Sequence, residues 1–214
     1  MKKFSFTLMF VLIGIIAFAQ KDPEAKQILD AMSTKMKQIP AYSADITSAM
    51  VNEVDNINEE FGGKITVKGD MYKLEMDDQV VINNGTTVWT YLPDVNEVNI
   101  DNYSPTEDEI SPSKIYEAYK SGYKYMLVNP AASMNGETVA EVDLVPNDKD
   151  AQFFKIKLFI SQKTKNLKGW TMFDKSGNQY EYTIKNFKTN ISPKDSFFAF
   201  DTAKYPGVEV IDLR

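Results

Sequence analysis

Between Tyr42 and Phe187 apolar side chains return at every second position, in short runs punctuated by turn formers. A period of two commits most of the chain to half-buried strands, because successive side chains of a strand point to opposite faces. Tyr42, Ala44, Ile46, Ser48 and Met50 share one face of the first run. Residues 56–60 read as a polar turn, after which Ile65 and Val67 resume the alternation. Tyr72, Leu74 and Met76 follow with Lys73 and Glu75 opposite, and Asp77-Asp78 turns the chain into residues 80–82. Asn84-Gly85 is a two-residue hairpin signal, since both turn positions favour positive φ. Residues 88–92 return, and Val95, Val98 and Ile100 complete a first meander. A second meander is read over 123–128, 137–145, 153–160, 167–173 and 179–187, with a last short pair at 197–200 and 208–210.

Two segments carry the helical period. Asp22-Pro23 supplies a cap and a first-turn proline, and Ala25, Ile28, Leu29, Met32, Met36 and Ile39 follow at helical spacing until Pro40. Such a stripe is ordinarily core. Ser111-Pro112 starts a second, shorter helix carrying Ile115, Tyr116, Ala118 and Tyr119, after an acidic loop with Glu107, Asp108 and Glu109. About eleven strands in near-neighbour order imply a mainly β (α+β) fold: one strongly curved antiparallel sheet, curling towards a closed or part-open barrel with helices on its concave side. No Gly- or Ser-rich linker and no fixed repeat interrupts residues 20–214, which read as one domain.

The first residues carry a compartment signal. Lys2 and Lys3 precede an apolar run over 6–18, and Ala17-Phe18-Ala19 offers the small-x-small pattern of a cleavage site. Residues 1–19 are therefore expected to be a removable export leader; a spanning helix needs about 20 apolar residues, and this run is shorter. The chain has no Cys, so no acylated leader and no disulfide is available, and a secreted fold of 195 residues has to stand on its core. Removing Lys2 and Lys3 leaves 22 basic residues against 30 acids, a net charge of −8. That sign excludes nucleic acid as a partner and disfavours anionic lipid surfaces. No later segment is long and apolar enough to span a bilayer.

Catalytic chemistry is sparse. Without His or Cys the commonest general base, transition-metal ligands and thiol nucleophile are missing. The one Arg is Arg214, and no phosphate-cradling Gly loop or Gly-x-Ser-x-Gly occurs. Asp77-Asp78 and 107–109 are the acidic pairs from which a calcium site or a carboxylate hydrolase would be built, but both fall in turns where acids are ordinarily solvated. No cofactor and no metal site is expected. What the chain has in quantity is apolar bulk, including eight methionines after the leader, a side chain suited to varied apolar ligands. A lidded β-cup around such residues is either a ligand cavity or a filled core, and composition leaves both open.

Residues 80–93 tip this balance. Val80-Val81-Ile82-Asn83-Asn84-Gly85-Thr86-Thr87-Val88-Trp89-Thr90-Tyr91-Leu92-Pro93 resembles the central segment of LolA-type outer-membrane lipoprotein carriers, in which an apolar strand, a Gly turn and a Trp-x-Tyr-x-Pro strand recur. Residues 63–67, the ending Asp195-Ser196-Phe197-Phe198-Ala199-Phe200 and Pro206-Gly207-Val208, and the order of elements are similar too. The resemblance implies an unclosed barrel lidded by helices, no enzyme activity, and a periplasmic carrier that shields lipoprotein acyl chains from inner to outer membrane. It also implies an inner-membrane ABC-type releasing complex and an outer-membrane acceptor as partners. Leu74, Met76, Ile82, Trp89 and Tyr91 are the expected cavity wall, and Met32, Met36, Ile115, Tyr116 and Tyr119 the expected lid. One departure stands out: the family's latching Arg follows a Val-Lys pair, and here Val67-Lys68 is followed by Gly69. The alternatives are a carrier of another lipid, an envelope interaction module with a filled core, and a hydrolase using carboxylates alone.

Overall fold

In the computed structural model, which describes residues 22–104 and 114–214, the alternation resolves into twelve strands of one sheet. The first meander is β1 (Ala41–Asn52), β2 (Ile57–Lys68), β3 (Met71–Met76), β4 (Val80–Asn83), β5 (Thr87–Leu92) and β6 (Glu97–Asn102). The second is β7 (Tyr123–Met134), β8 (Glu137–Pro146), β9 (Phe153–Ser161), β10 (Leu167–Asp174) and β11 (Gln179–Lys188), and β12 (Glu209–Asp212) ends the chain. The spatial order is β12-β6-β5-β4-β3-β2-β1-β11-β10-β9-β8-β7, so the two meanders join where β1 pairs with β11, and β7 and β12 remain as unjoined edges. This is the unclosed barrel that the resemblance implies, where the strand pattern alone allowed a closed or a part-open one.

Several local readings shift. The turn after β1 is residues 53–56, and Asn56, at φ 53°, begins the return; the polar stretch to Glu60 is strand because it pairs in register with β1. The β4–β5 connection has three residues, with Asn84 Oδ1 accepting from Thr86 and Thr87 N–H and only Gly85 at positive φ (92°). Val95 lies in a 3-10 turn, Pro93–Val95, before β6. The expected strand at 197–200 is instead the 3-10 turn Asp195–Phe198, and β12 pairs in parallel with β6, the only parallel pairing among the described residues. Packing decides this: Phe198 is fully buried, so the segment is held by an anchor and not by a ladder.

The helix α1 (Pro23–Lys37) begins as read, with Asp22 Oδ1 accepting from Glu24 and Ala25 N–H. The second helical piece is a 3-10 helix, Ile115–Lys120; Ser111, Pro112 and the acidic residues 107–109 lie outside the described residues, as does the leader 1–19. No helix among the described residues is long and apolar enough to cross a membrane. Both helices cover the concave face. Ala25, Leu29 and Met32 enter a core with Ile115, Tyr119, Val142, Leu144, Ile156 and Leu158, while Met36 enters a second core with Tyr42, Ala44, Ile46, Ile65, Val67 and Tyr72.

Candidate functional site

Where the two cores meet, the concave face and its helical roof enclose a cavity. β1 contributes Tyr42, Ala44 and Ile46, and β2 contributes Ile65. Across the seam β10 contributes Leu167 and Trp170, and β11 contributes Ile184 and Phe187; Met36 of α1 and Ile115 and Tyr116 of the short helix form the roof. Every lining side chain is aliphatic, aromatic or a thioether. The enclosed space is about 30 Å³, where a single water needs roughly 10–15 Å³ on the same measure. The roof therefore leaves room for a few atoms, not for a long chain.

Strand irregularities aim the lining residues. On β1, Ser43 pairs with Lys188 and Asp45 with Lys185, so Ala44 alone opposes Asn186 and Phe187. Such a bulge puts one extra residue into the strand and resets its alternation. Asn186 takes φ 49° there and donates its side-chain N–H to Asp45 Oδ2, while Phe187 returns to the concave face, its ring 5.1 Å from that of Tyr42. On β10, Leu167 faces Ile160 and Gly169 faces Phe159, so Lys168 is the extra residue and both Leu167 and Trp170 reach the cavity. Trp170 is stacked on Tyr182, 4.6 Å between centroids.

Polar contacts around the rim hold the roof. Tyr119 donates a hydrogen bond to Asp30 on α1 at 2.7 Å, and Glu117 lies 2.8 Å from Lys37 of α1 and 2.6 Å from Lys120. Burial pushes the Glu117 carboxyl up, but the hydrogen bonds from Lys120 and Lys37 outweigh it and hold the group below its ordinary value. Asp30 is held down by Lys26 first and then by Tyr119. At the start of α1, Asp22 Oδ2 accepts from Leu127 N–H on the edge strand β7 at 3.0 Å, and this bond lowers its pKa. The other end of the short helix is tied to the sheet by Lys114, 3.2 Å from Asp70 in the β2–β3 turn. In that turn Gly69, at the position where the resemblance places an Arg, sits at φ 59°, a left-handed conformation that an L side chain occupies only with strain. The ion pairs among these contacts are open to solvent and screened by it, so apolar contact dominates closure.

Of the ten residues singled out in the sequence, Met36, Ile115 and Tyr116 line the cavity. Met32 and Tyr119 lie in the adjoining core, and Leu74 packs against the core containing Tyr42. Met76 opposes Gly63 on the same face, its sulfur occupying the place a Cβ would take. Ile82, Trp89 and Tyr91 are not brought together with them. Leu74 pairs with Val81, so Ile82 and Trp89 fall in the alternate register and point to the convex face, as does Tyr91. There Tyr91 packs against Tyr205 and Phe200, at 4.5 and 5.4 Å between centroids. The lining residues not singled out come mostly from β1, β10 and β11, and β1 meets the other two only across the seam. Tyr42, Ala44 and Ile46 were visible as one apolar face, but nothing local says that Trp170 and Ile184 lie beside them.

No cluster of three or more acidic side chains that could hold a metal exists among the described residues. Asp77 serves its turn, its Oδ2 accepting from Gly62 N–H at 2.8 Å.

Comparison with known proteins agrees with this arrangement. Residues 49–201 match the family described as outer membrane lipoprotein carrier protein LolA. Over 202 residues the chain is 26% identical to the outer-membrane lipoprotein carrier proteins of Pseudomonas aeruginosa and Pseudomonas paraeruginosa, covering 89% of this chain and 88% of theirs. The crystal structure of an uncharacterized conserved protein from Thermus thermophilus superposes with a TM-score of 0.59 at 12% identity, over 88% of this chain and 99% of that one, a likeness of fold.

Proposed function

The chain belongs to the LolA family of outer-membrane lipoprotein carrier proteins, and from that premise we propose that it carries lipoprotein acyl chains through the periplasm in the cavity beneath α1 and the short helix. The observation that carries this reading is the lining of aliphatic, aromatic and thioether side chains, gathered from both meanders under α1 and the short helix. Each acyl CH₂ hidden from water is worth ~0.8 kcal/mol, so a chain does not cross an aqueous gap unless something shields it. A space of about 30 Å³ admits such a chain only when the roof lifts and its apolar contacts with the sheet are exchanged for contacts with the chain. In this reading the leader 1–19 is removed, residues 20–214 act as one carrier domain, and the protein is not an enzyme. Cargo is received from an inner-membrane ABC-type releasing complex and handed to an outer-membrane acceptor.

The small size of the closed cavity also favours a second reading, an envelope interaction module whose core stays filled. Native mass spectrometry of the protein isolated without detergent separates the two. A bound mass matching an acylated lipoprotein or lipid supports the carrier. A clean unliganded mass, with no uptake of added lipoprotein, supports the module.

A further inference from the structure

Tyr42 breaks the pattern of the cavity. It stands on β1 at the cavity floor, is only 8% exposed, and makes no hydrogen bond through its hydroxyl to any described residue. Its ring is accounted for, since it packs on Phe187 at 5.1 Å. The Tyr42 side chain is buried as a whole, and Phe would fill the same place without a polar group to satisfy. Tyr116 meets the same cavity from the roof, likewise with no hydrogen bond among the described residues. Burial, and then the neighbouring Tyr116, push the Tyr42 pKa up, so its hydroxyl is a proton-bearing donor throughout the physiological range. Nothing else in the lining except the Trp170 indole N–H offers a donor.

We propose that Tyr42, with Tyr116 opposite, selects the ligand by donating a hydrogen bond to the ester or amide carbonyl at the head of an acyl chain. The cavity is thereby specific for acyl groups and discriminates against plain alkyl chains of the same length. The reasoning is that of sites built around one polar group: a ligand carrying the matching acceptor satisfies it, and a ligand without one leaves it buried and unpaired. The inference rests on the carrier reading and adds the class of group the cavity recognises.

A pair of lipids isolates the effect: a diacylglycerol and the dialkyl diether of equal chain length, which differ only in the two carbonyls. Their affinities for the protein and for Tyr42→Phe are measured by the change in Trp fluorescence, with a thermal melt of each protein. The expected result is about a five- to tenfold preference for the ester in the unsubstituted protein. In Tyr42→Phe the preference falls to near one, chiefly through loss of ester affinity, and the melting temperature is equal or higher. Tyr116→Phe lowers the preference in the same direction. Binding of both lipids with an unchanged ratio in Tyr42→Phe overturns the inference and leaves the carrier reading standing. Failure of both lipids to bind the unsubstituted protein overturns both.

Discussion

Ala44 is the lining residue at which ligand binding and folding separate most cleanly. It is 2% exposed, pairs with Ile65, and lies opposite the bulge formed by Asn186 and Phe187. Ala44→Leu adds three carbon groups, whose burial is worth about 2 kcal/mol at ~0.8 kcal/mol each. The free space beside it, about 30 Å³, takes only part of that volume, and crowding a packed core costs ~1–3 kcal/mol. The two effects nearly cancel, so the melting temperature should move by about 4 °C or less. Binding has no such compensation: the added carbons occupy space that a chain would fill, and losing about three methylene contacts, ~2 kcal/mol, is roughly a thirtyfold loss of affinity. Ala44→Val, with two added carbons, should fall between. The assay is a saturable titration with a fluorescent fatty-acyl probe beside a thermal melt. A variant that melts normally and binds the probe as tightly as the parent would refute the placement of the ligand under α1.

Trp89→Ala should leave acyl affinity within about twofold, because Trp89 points to the convex face, whereas Tyr116→Asp buries a charge in the roof and should abolish binding; equal losses in the two titrations would contradict the strand register. Asp143→Asn should raise the melting temperature near pH 7. Burial pushes the Asp143 carboxyl up, its Oδ1 has no hydrogen-bond partner among the described residues, and Lys155 stands 3.9 Å away. For a carboxyl raised in this way the penalty is absent below the ordinary Asp value and complete above the folded one, so the gain should vanish towards about pH 3 in the same melt. Asp22, Asp30 and Glu117 have the opposite sign: their folded pKa values are lowered, so their stabilisation is present above the ordinary carboxylate values and lost as pH falls through the folded ones. Followed in the Asp143→Asn background, the melting temperature should drop between about pH 5 and pH 3, and a flat profile would show that these carboxylates do not hold the roof.

The sequence made the strands legible and left their facing directions open. Turn formers and alternation located both meanders, and the cap at Asp22-Pro23 located α1, because these are local effects. Leu74 and Ile82 show the limit. Each lies in a well-marked apolar run, yet the connection at residues 77–79 sets Leu74 against Val81, and a single step of register sends Ile82 to the other side of the sheet. The bulge at Asn186 was equally invisible, although it alone returns Phe187 to the cavity. The last strand was located, but its partner was misread for a different reason: the pairing of β12 with β6 joins residues far apart in the chain, and the 3-10 turn before it follows the burial of Phe198. Half of the roof was readable as a helical stripe, but the floor depends on two strands meeting at a distance.

That meeting has a consequence in time. Each meander is built from neighbours in sequence and can zip up early, whereas Val51 finds Gln179, and Ser43 finds Lys188, only after a very long loop is closed. The cavity straddles this seam, so it does not exist in either half alone and comes into being with the last cooperative step of assembly. Substitutions along β1 and β11 should thus act chiefly by hastening unfolding, with little effect on the rate at which the halves form. The pocket is the youngest part of the molecule each time the chain folds, and the first to be lost.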